Sequence, residues 1–169
     1  GAHGYLIHEF ISPISNKRKD EYGGKLDNRI KFPLEILTEI RKVVPPHIAL
    51  GMRITGTDWR EDGLSVKDAQ RVAQILEENG LDYLCISSGG ITTGLNIPVG
   101  PGYQVHLAAA VKETVSIPVR AVGLITSPGQ ADNIIVKGDA NMVALARAFL
   151  SNPRWVWDAS IALKHSIKV

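Results

Sequence analysis

Two side chains able to handle a proton lie two residues apart near one end of the 169-residue chain, His3 and Tyr5 in Gly1-Ala2-His3-Gly4-Tyr5. An imidazole N–H can donate a hydrogen bond to a carbonyl oxygen and polarise it. A phenol can deliver a proton to a carbon that turns basic after hydride addition. A bare His-Gly-Tyr is more often ordinary loop, so the tripeptide alone decides nothing. His8, in the same loop, shows no comparable pattern and reads as structural or solvent-exposed.

A third candidate is Arg53, which interrupts the apolar run Ala49-Leu50-Gly51-Met52-Arg53-Ile54. A guanidinium stays charged and is seldom buried without an acceptor. It either pairs with an internal carboxylate or faces an anion or electron-rich ring at the C-terminal end of its strand. Two further segments suit an anion. Gly123 follows the apolar run Ile117–Val122, and Ala146-Arg147 closes the run Asn141–Ala146. Glycine lets a backbone approach a phosphate closely, a helix N-terminus offers free N–H groups, and arginine adds a fork of donors. Ser87-Ser88-Gly89-Gly90 ends another run and should face the same mouth. Pro101-Gly102-Tyr103-Gln104 is either a turn before a helix or part of that opening, and His106 belongs to the helix start. Cys85 reads as a small core residue. Arg120 points to the exterior or the base of the assembly and is given no role.

These residues need elements to place them. Ile48–Ile54, Leu81–Ser87, Ile117–Val122 and Asn141–Ala146 are near-continuously apolar, as in parallel strands covered on both faces. Helical spacing fills the gaps. Ile30–Val44 repeats apolar residues at three and four and stops at Pro45-Pro46. Ser65-Val66-Lys67-Asp68 forms a capping box opening a helix that ends near Gly80. A helix follows over about 105–115. Ser127-Pro128 is an N-cap with proline at the first helical position, and its helix ends near Gly138. A final helix starts at about Arg147. The alternation is that of βαβ units, found in open doubly wound sheets and in (β/α)8 barrels. No Gly-x-Gly-x-x-Gly follows a strand, so the dinucleotide-type open sheet has no support from that motif.

Composition sets outer bounds. Apolar residues at 44% and charged residues at 21% suit a globular protein with a core. A formal charge of +2, with no basic stripe, gives no expectation of nucleic-acid binding. Lys17-Arg18-Lys19-Asp20-Glu21 mixes signs and reads as a solvated loop. No apolar run approaches the ~20 residues of a membrane span. A single cysteine excludes a disulfide within the chain, cannot alone hold an iron–sulfur cluster, and points to a reducing compartment, read as cytoplasmic.

One long string joins these pieces. His3-Gly4-Tyr5-Leu6, Phe10, Ser12-Pro13, Ser15-Asn16, Arg18, Asp20, Tyr22-Gly23-Gly24 and Asn28-Arg29 stand at fixed spacing, and Leu145-Ala146-Arg147-Ala148-Phe149-Leu150 with Pro153 and Trp155 closes the chain. The whole resembles the old yellow enzyme family of FMN-dependent ene-reductases. The resemblance implies that residues 1–169 are the C-terminal part of one FMN-binding (β/α)8 barrel domain, its strands five to eight. It implies a ping-pong cycle in which NADPH or NADH reduces FMN and leaves. An α,β-unsaturated carbonyl then takes hydride from flavin N5, His3 binds its oxygen, and Tyr5 protonates its α carbon. The family's second carbonyl-binding histidine falls immediately before Gly1. Arg53 would lie beside the flavin pyrimidine edge, and Gly89, Gly123, Ala146 and Arg147 would contact FMN, where many family members have glycine at the position of Ala146. A small-molecule enone and a homo-oligomer are the partners implied. The alternative is a truncated, non-catalytic half-barrel. Barrel relatives with a C-terminal iron–sulfur cluster, dienoyl-CoA reductases and amine dehydrogenases, are a further alternative, for which this chain lacks the cysteines.

Overall fold

Local sequence signals set most element boundaries in the computed structural model, which describes residues 1–167. Ser65 and Asp68 form a reciprocal capping box: the Ser65 hydroxyl accepts from the Asp68 N–H, and the Asp68 carboxylate accepts from the Ser65 N–H. Helix α4 (Val66–Glu78) starts there, taking its place after α1 (Leu6–Ile11), α2 (Leu26–Arg29), α3 (Lys31–Val43) and strand β1 (Gly51–Thr55). Then come β2 (Tyr83–Ser87), α5 (Val105–Lys112), β3 (Val119–Val122), α6 (Pro128–Val136), β4 (Met142–Ala144), α7 (Arg147–Ser151) and α8 (Trp155–Ala162). Ser127 caps α6 by accepting from the Gln130 N–H, with Pro128 at the first helical position. Both caps satisfy helix N–H groups that would otherwise lack partners.

The four strands are parallel and lie in the order β1-β2-β3-β4. A doubly wound sheet reverses its strand order at a switch point. This order has no reversal, so the sheet is an arc of a (β/α)8 barrel, and its four strands make half of one. One face of the arc packs under the helices: Leu84, Ile86, Val119 and Ala121 are fully buried, and α5 lies across β2 and β3. Val72, Ala73 and Leu76 of α4 and Leu107, Ala108 and Val111 of α5 complete that core. Each Leu, Ile or Val so buried contributes about 1.5–3 kcal/mol of transfer free energy.

The other face differs. Register places Arg53, Cys85, Arg120 and Met142 in one row across the sheet, and paired residues project to the same side. Arg120 therefore lies on the inner face and not on the exterior. Its guanidinium, which has no carboxylate partner among the described residues, sits 5.2 Å from the centre of the Tyr83 ring in a cation–π contact.

Three elements depart from the sequence reading. The segment after Tyr5, read as loop, turns at once into α1, which no side chain caps. The helix expected from Ile30 is preceded by the short α2. The helix expected from Arg147 breaks at Asn152-Pro153 into α7 and α8, because proline lacks the N–H that continuation requires. No helix among the described residues is long and apolar enough to cross a membrane.

Candidate active site

The C-terminal ends of the strands open into a cleft of about 240 Å³ lined by His3, Arg53, Tyr103, Gln104, Val122–Thr126 and Ala144–Ala148. This is the end at which barrels of this kind place chemistry. Of the residues singled out in the sequence, His3, Arg53, Gly123, Ala146 and Arg147 meet here. Of the residues expected to contact substrate or FMN, two do not line the cleft. Tyr5 precedes α1 with three-quarters of its surface exposed. Gly89 sits in the loop after β2, and a Cβ there would face Ile97 and the Trp59 ring.

His3 adopts a left-handed backbone, φ 58°. That conformation is uncommon for a residue with a Cβ and costs of order 1–3 kcal/mol. The neighbouring chain explains how it is held. A Cβ on Gly4 would lie 2.3 Å from the Gly90 carbonyl oxygen, and one on Gly90 would lie 2.5 Å from the His3 Cα. The two backbones pass each other with no room for side chains. Partial desolvation of the His3 ring, and then the positive charge of Arg53, lower its pKa below the ordinary imidazole value. A neutral imidazole is thereby favoured at neutral pH, and its N–H can donate to an acceptor in the cleft. Arg53 reaches across to β2, where its Nε lies 3.3 Å from the Cys85 Sγ. It has no carboxylate partner among the described residues, so the internal salt bridge that its type allowed does not form within them.

Backbone shapes the opposite wall. Gly123 sits at φ 124°, with Gln104 Nε2 2.8 Å and a Tyr103 ring carbon 3.2 Å from where a Cβ would be. Leu124 follows at φ 49°, a second strained residue. Gln104 is buried and ties three segments together: its Oε1 accepts from the Ser88 hydroxyl at 2.7 Å and its Nε2 donates to the Val122 carbonyl at 3.2 Å. The Pro101–Gln104 segment thus belongs to the opening. Ala146 precedes α7 without a side-chain cap, and Arg147 is exposed at its start.

Sequence reasoning missed the polar cluster beneath His3. His8 and Asp58 are buried and joined by a 2.8 Å hydrogen bond, and the Ser12 hydroxyl donates to the other Asp58 oxygen at 2.6 Å. The Leu64 N–H donates to Asp58 as well, at 2.8 Å. Burial pushes the Asp58 carboxyl up, but the hydrogen bonds from His8, Leu64 and Ser12 outweigh it and hold the pKa below the ordinary value. The available signal was an acid directly after a strand, in Gly56-Thr57-Asp58, which must find donors if buried.

A model of the NADH:flavin oxidoreductase / NADH oxidase family matches residues 1–165. The chain belongs to this family. Membership agrees with the resemblance to old yellow enzymes drawn from the string that starts at His3. Among its curated relatives, an NADPH dehydrogenase from Geobacillus sp. (strain WCH70) is 44% identical over 167 residues, 99% of this chain and 48% of that protein. The chain spans about half the length of the curated relatives it matches. A 2-naphthoyl-CoA reductase in complex with 2-naphthoyl-CoA superposes with a TM-score of 0.85 at 29% identity, over 96% of this chain and 25% of the larger one. Histamine dehydrogenase from Rhizobium sp. 4-9 gives 0.81 at 27% identity, over 97% and 24%.

Proposed function

We propose that the protein carrying this chain is an FMN-dependent oxidoreductase that takes electrons from NADPH or NADH and reduces activated C=C bonds of α,β-unsaturated carbonyl compounds. Residues 1–169 are then the C-terminal part of its single barrel domain. The observation that carries this reading is the cleft where His3, Arg53, Gly123, Ala146 and Arg147 converge from four segments, in a chain of a flavin oxidoreductase family.

The residues suit FMN. Gly123 keeps a cradle clear that a Cβ would crowd, and α7 begins uncapped beside Arg147. Gly123, Ala146 and Arg147 would hold the phosphate through N–H groups and a guanidinium. Arg53, without a carboxylate partner among the described residues, would sit by the electron-rich edge of the ring, where positive charge favours the reduced, anionic form. When bound, FMN supplies two-electron hydride chemistry. The neutral His3 binds and polarises the substrate carbonyl. Tyr5, beside it and open to solvent, delivers a proton to the α carbon. Gly89, in the loop after β2 with its open side toward Ile97 and Trp59, is given no part in holding FMN.

A second reading has its own support: β1 and β4 are both sheet edges, and the inner face of the arc is partly open. A chain of 169 residues by itself would then be a non-catalytic half-barrel. One experiment separates the readings. The full-length natural protein should purify with a flavin spectrum that NADPH bleaches anaerobically and an enone restores. A 169-residue product showing the same cycle would rule out the half-barrel reading, and a full-length protein without flavin would rule out the enzyme reading.

A further inference from the structure

His8 stands at the centre of a relay that neither proposed substrate contact accounts for. Its ring is 1% exposed, and both ring nitrogens are engaged. Nδ1 lies 2.9 Å from the backbone nitrogen of Gly4, and Nε2 lies 2.8 Å from Asp58 Oδ1. A backbone N–H can only donate, so Nδ1 must accept with an unprotonated lone pair. The ring proton therefore sits on Nε2 and is donated to Asp58. Thr55 Oγ1 lies farther from Nδ1, at 3.4 Å; moving the proton to serve it would leave the Gly4 N–H without its acceptor. Asp58, in turn, is fixed by Ser12 and by the Leu64 N–H, and is wholly buried. The relay thus begins in the loop after β1, passes through α1, and ends on the one residue between His3 and Tyr5.

We infer that His8, oriented by Asp58, is a positioning residue that sets the His3-Gly4-Tyr5 segment through the Gly4 N–H, and so sets where the carbonyl-binding imidazole and the phenol point. The geometry around Gly4 gives this bond its leverage. Gly4 is in the left-handed region at φ 77°, between two residues with proposed roles, and Gly90 blocks its other side. A strained segment persists only where its surroundings over-determine it. The hydrogen bond from Gly4 ties the segment to a side chain of α1, beside the backbone bond from the Glu9 N–H to the Tyr5 carbonyl. A misplacement of about 1 Å in such a group is worth about 100-fold in rate. This inference rests on the function proposed above.

Two substitutions divide the two halves of the relay. In His8→Asn the side-chain oxygen can occupy the position of Nδ1 and accept from Gly4, while the contact to Asp58 is lost. In His8→Gln the amide reaches the position of Nε2 and can donate to Asp58, while Gly4 loses its acceptor. In the full-length, flavin-loaded protein, His8→Gln should lower kcat/KM for an enone at least tenfold. His8→Asn, which keeps the acceptor for Gly4 but frees it from Asp58, should lose less than His8→Gln, about threefold, and in both variants anaerobic flavin reduction by NADPH should fall by less than the enone step. Equal losses in the two variants, in step with their melting temperatures, would overturn the inference, as would an unimpaired His8→Gln enzyme. Long-range ¹H–¹⁵N NMR of the unaltered protein tests the relay without any variant: His8 must show the Nε2–H tautomer, and the Nδ1–H tautomer would refute it. A protein that binds no flavin would sink the proposed function instead, and the NMR result would still stand or fall by itself.

Discussion

The two walls of the cleft are built by different means. The His3 wall is fixed from below by side chains, His8, Asp58 and Ser12, buried and hydrogen-bonded in series. The Gly123–Arg147 wall is shaped by main-chain conformation, with Gln104 bridging the loops at its back. A wall held by side-chain hydrogen bonds responds to protonation and to the loss of single polar groups. Both walls resist added atoms, and they differ in what an added Cβ meets: a backbone oxygen at Gly4, and the ends of side chains at Gly123. The side-chain kind of wall suits groups that must point accurately at a reacting carbonyl, and the backbone kind suits an anion that any well-placed N–H can hold.

Adding one methyl group to each wall should expose the contrast most strongly. Gly4→Ala sets a Cβ against a backbone oxygen that cannot yield, in a left-handed conformation. It should destabilise the protein by about 2–4 kcal/mol, summing backbone strain and overpacking, as read from denaturant melts. Gly123→Ala, at φ 124°, meets the amide of Gln104 and the edge of Tyr103, side-chain atoms that can give way only by loosening the Gln104 hydrogen bonds. The same melts should show a smaller loss of about 1–2 kcal/mol, together with weaker FMN retention. A larger stability loss at Gly123 than at Gly4 would erase the distinction.

Acid should act on the His3 wall. The Asp58 pKa is lowered in the folded state, so its contribution to stability is complete above the ordinary unfolded value of about 3.9. That contribution is lost as pH falls through the folded value. Asp58→Asn should therefore be less stable than the parent at neutral pH, with the gap narrowing below about pH 4 in thermal melts. A constant gap across that range would show that the carboxylate charge plays no part. The smallest stability effect belongs to Arg147→Ala, an exposed change that should move the melting free energy by no more than about 0.5 kcal/mol. FMN affinity should nevertheless fall about tenfold or more, as expected when a charged hydrogen bond to phosphate is lost. Unchanged affinity would remove Arg147 from the anion site.

The backbone wall was legible in the sequence and the side-chain wall was not. Gly123 and Ala146-Arg147 each directly follow an apolar strand, so the βα rhythm alone brings them to one mouth. The capping residues Ser65 and Ser127 likewise act within three residues of themselves, which a linear reading can see. The His8–Asp58 bond joins positions fifty apart and leaves no periodic trace. Helix α1 likewise lacks a local signal: no side chain caps its start, and only His8 and Ile11 along it are buried. For Arg120 the sequence left exterior or base open, because a charge within an apolar strand names no face until the register is known, and the register rules out the exterior. The placement of Gly89 toward Trp59 and Ile97 depended on a loop course that its glycines leave open.

The strictly sequential strand order also governs how the sheet can assemble. Within the described residues β2, β3 and β4 each pair with the strand before them, across roughly 20 to 30 residues of intervening chain. Closing such loops costs little more for each added unit, and the contacts form in the order in which the chain is synthesised. The arc can therefore grow by accretion, each new βα unit docking onto an edge already laid down. The last units, around the Gly123–Arg147 wall, are then added after the segment that bears His3 is already in place.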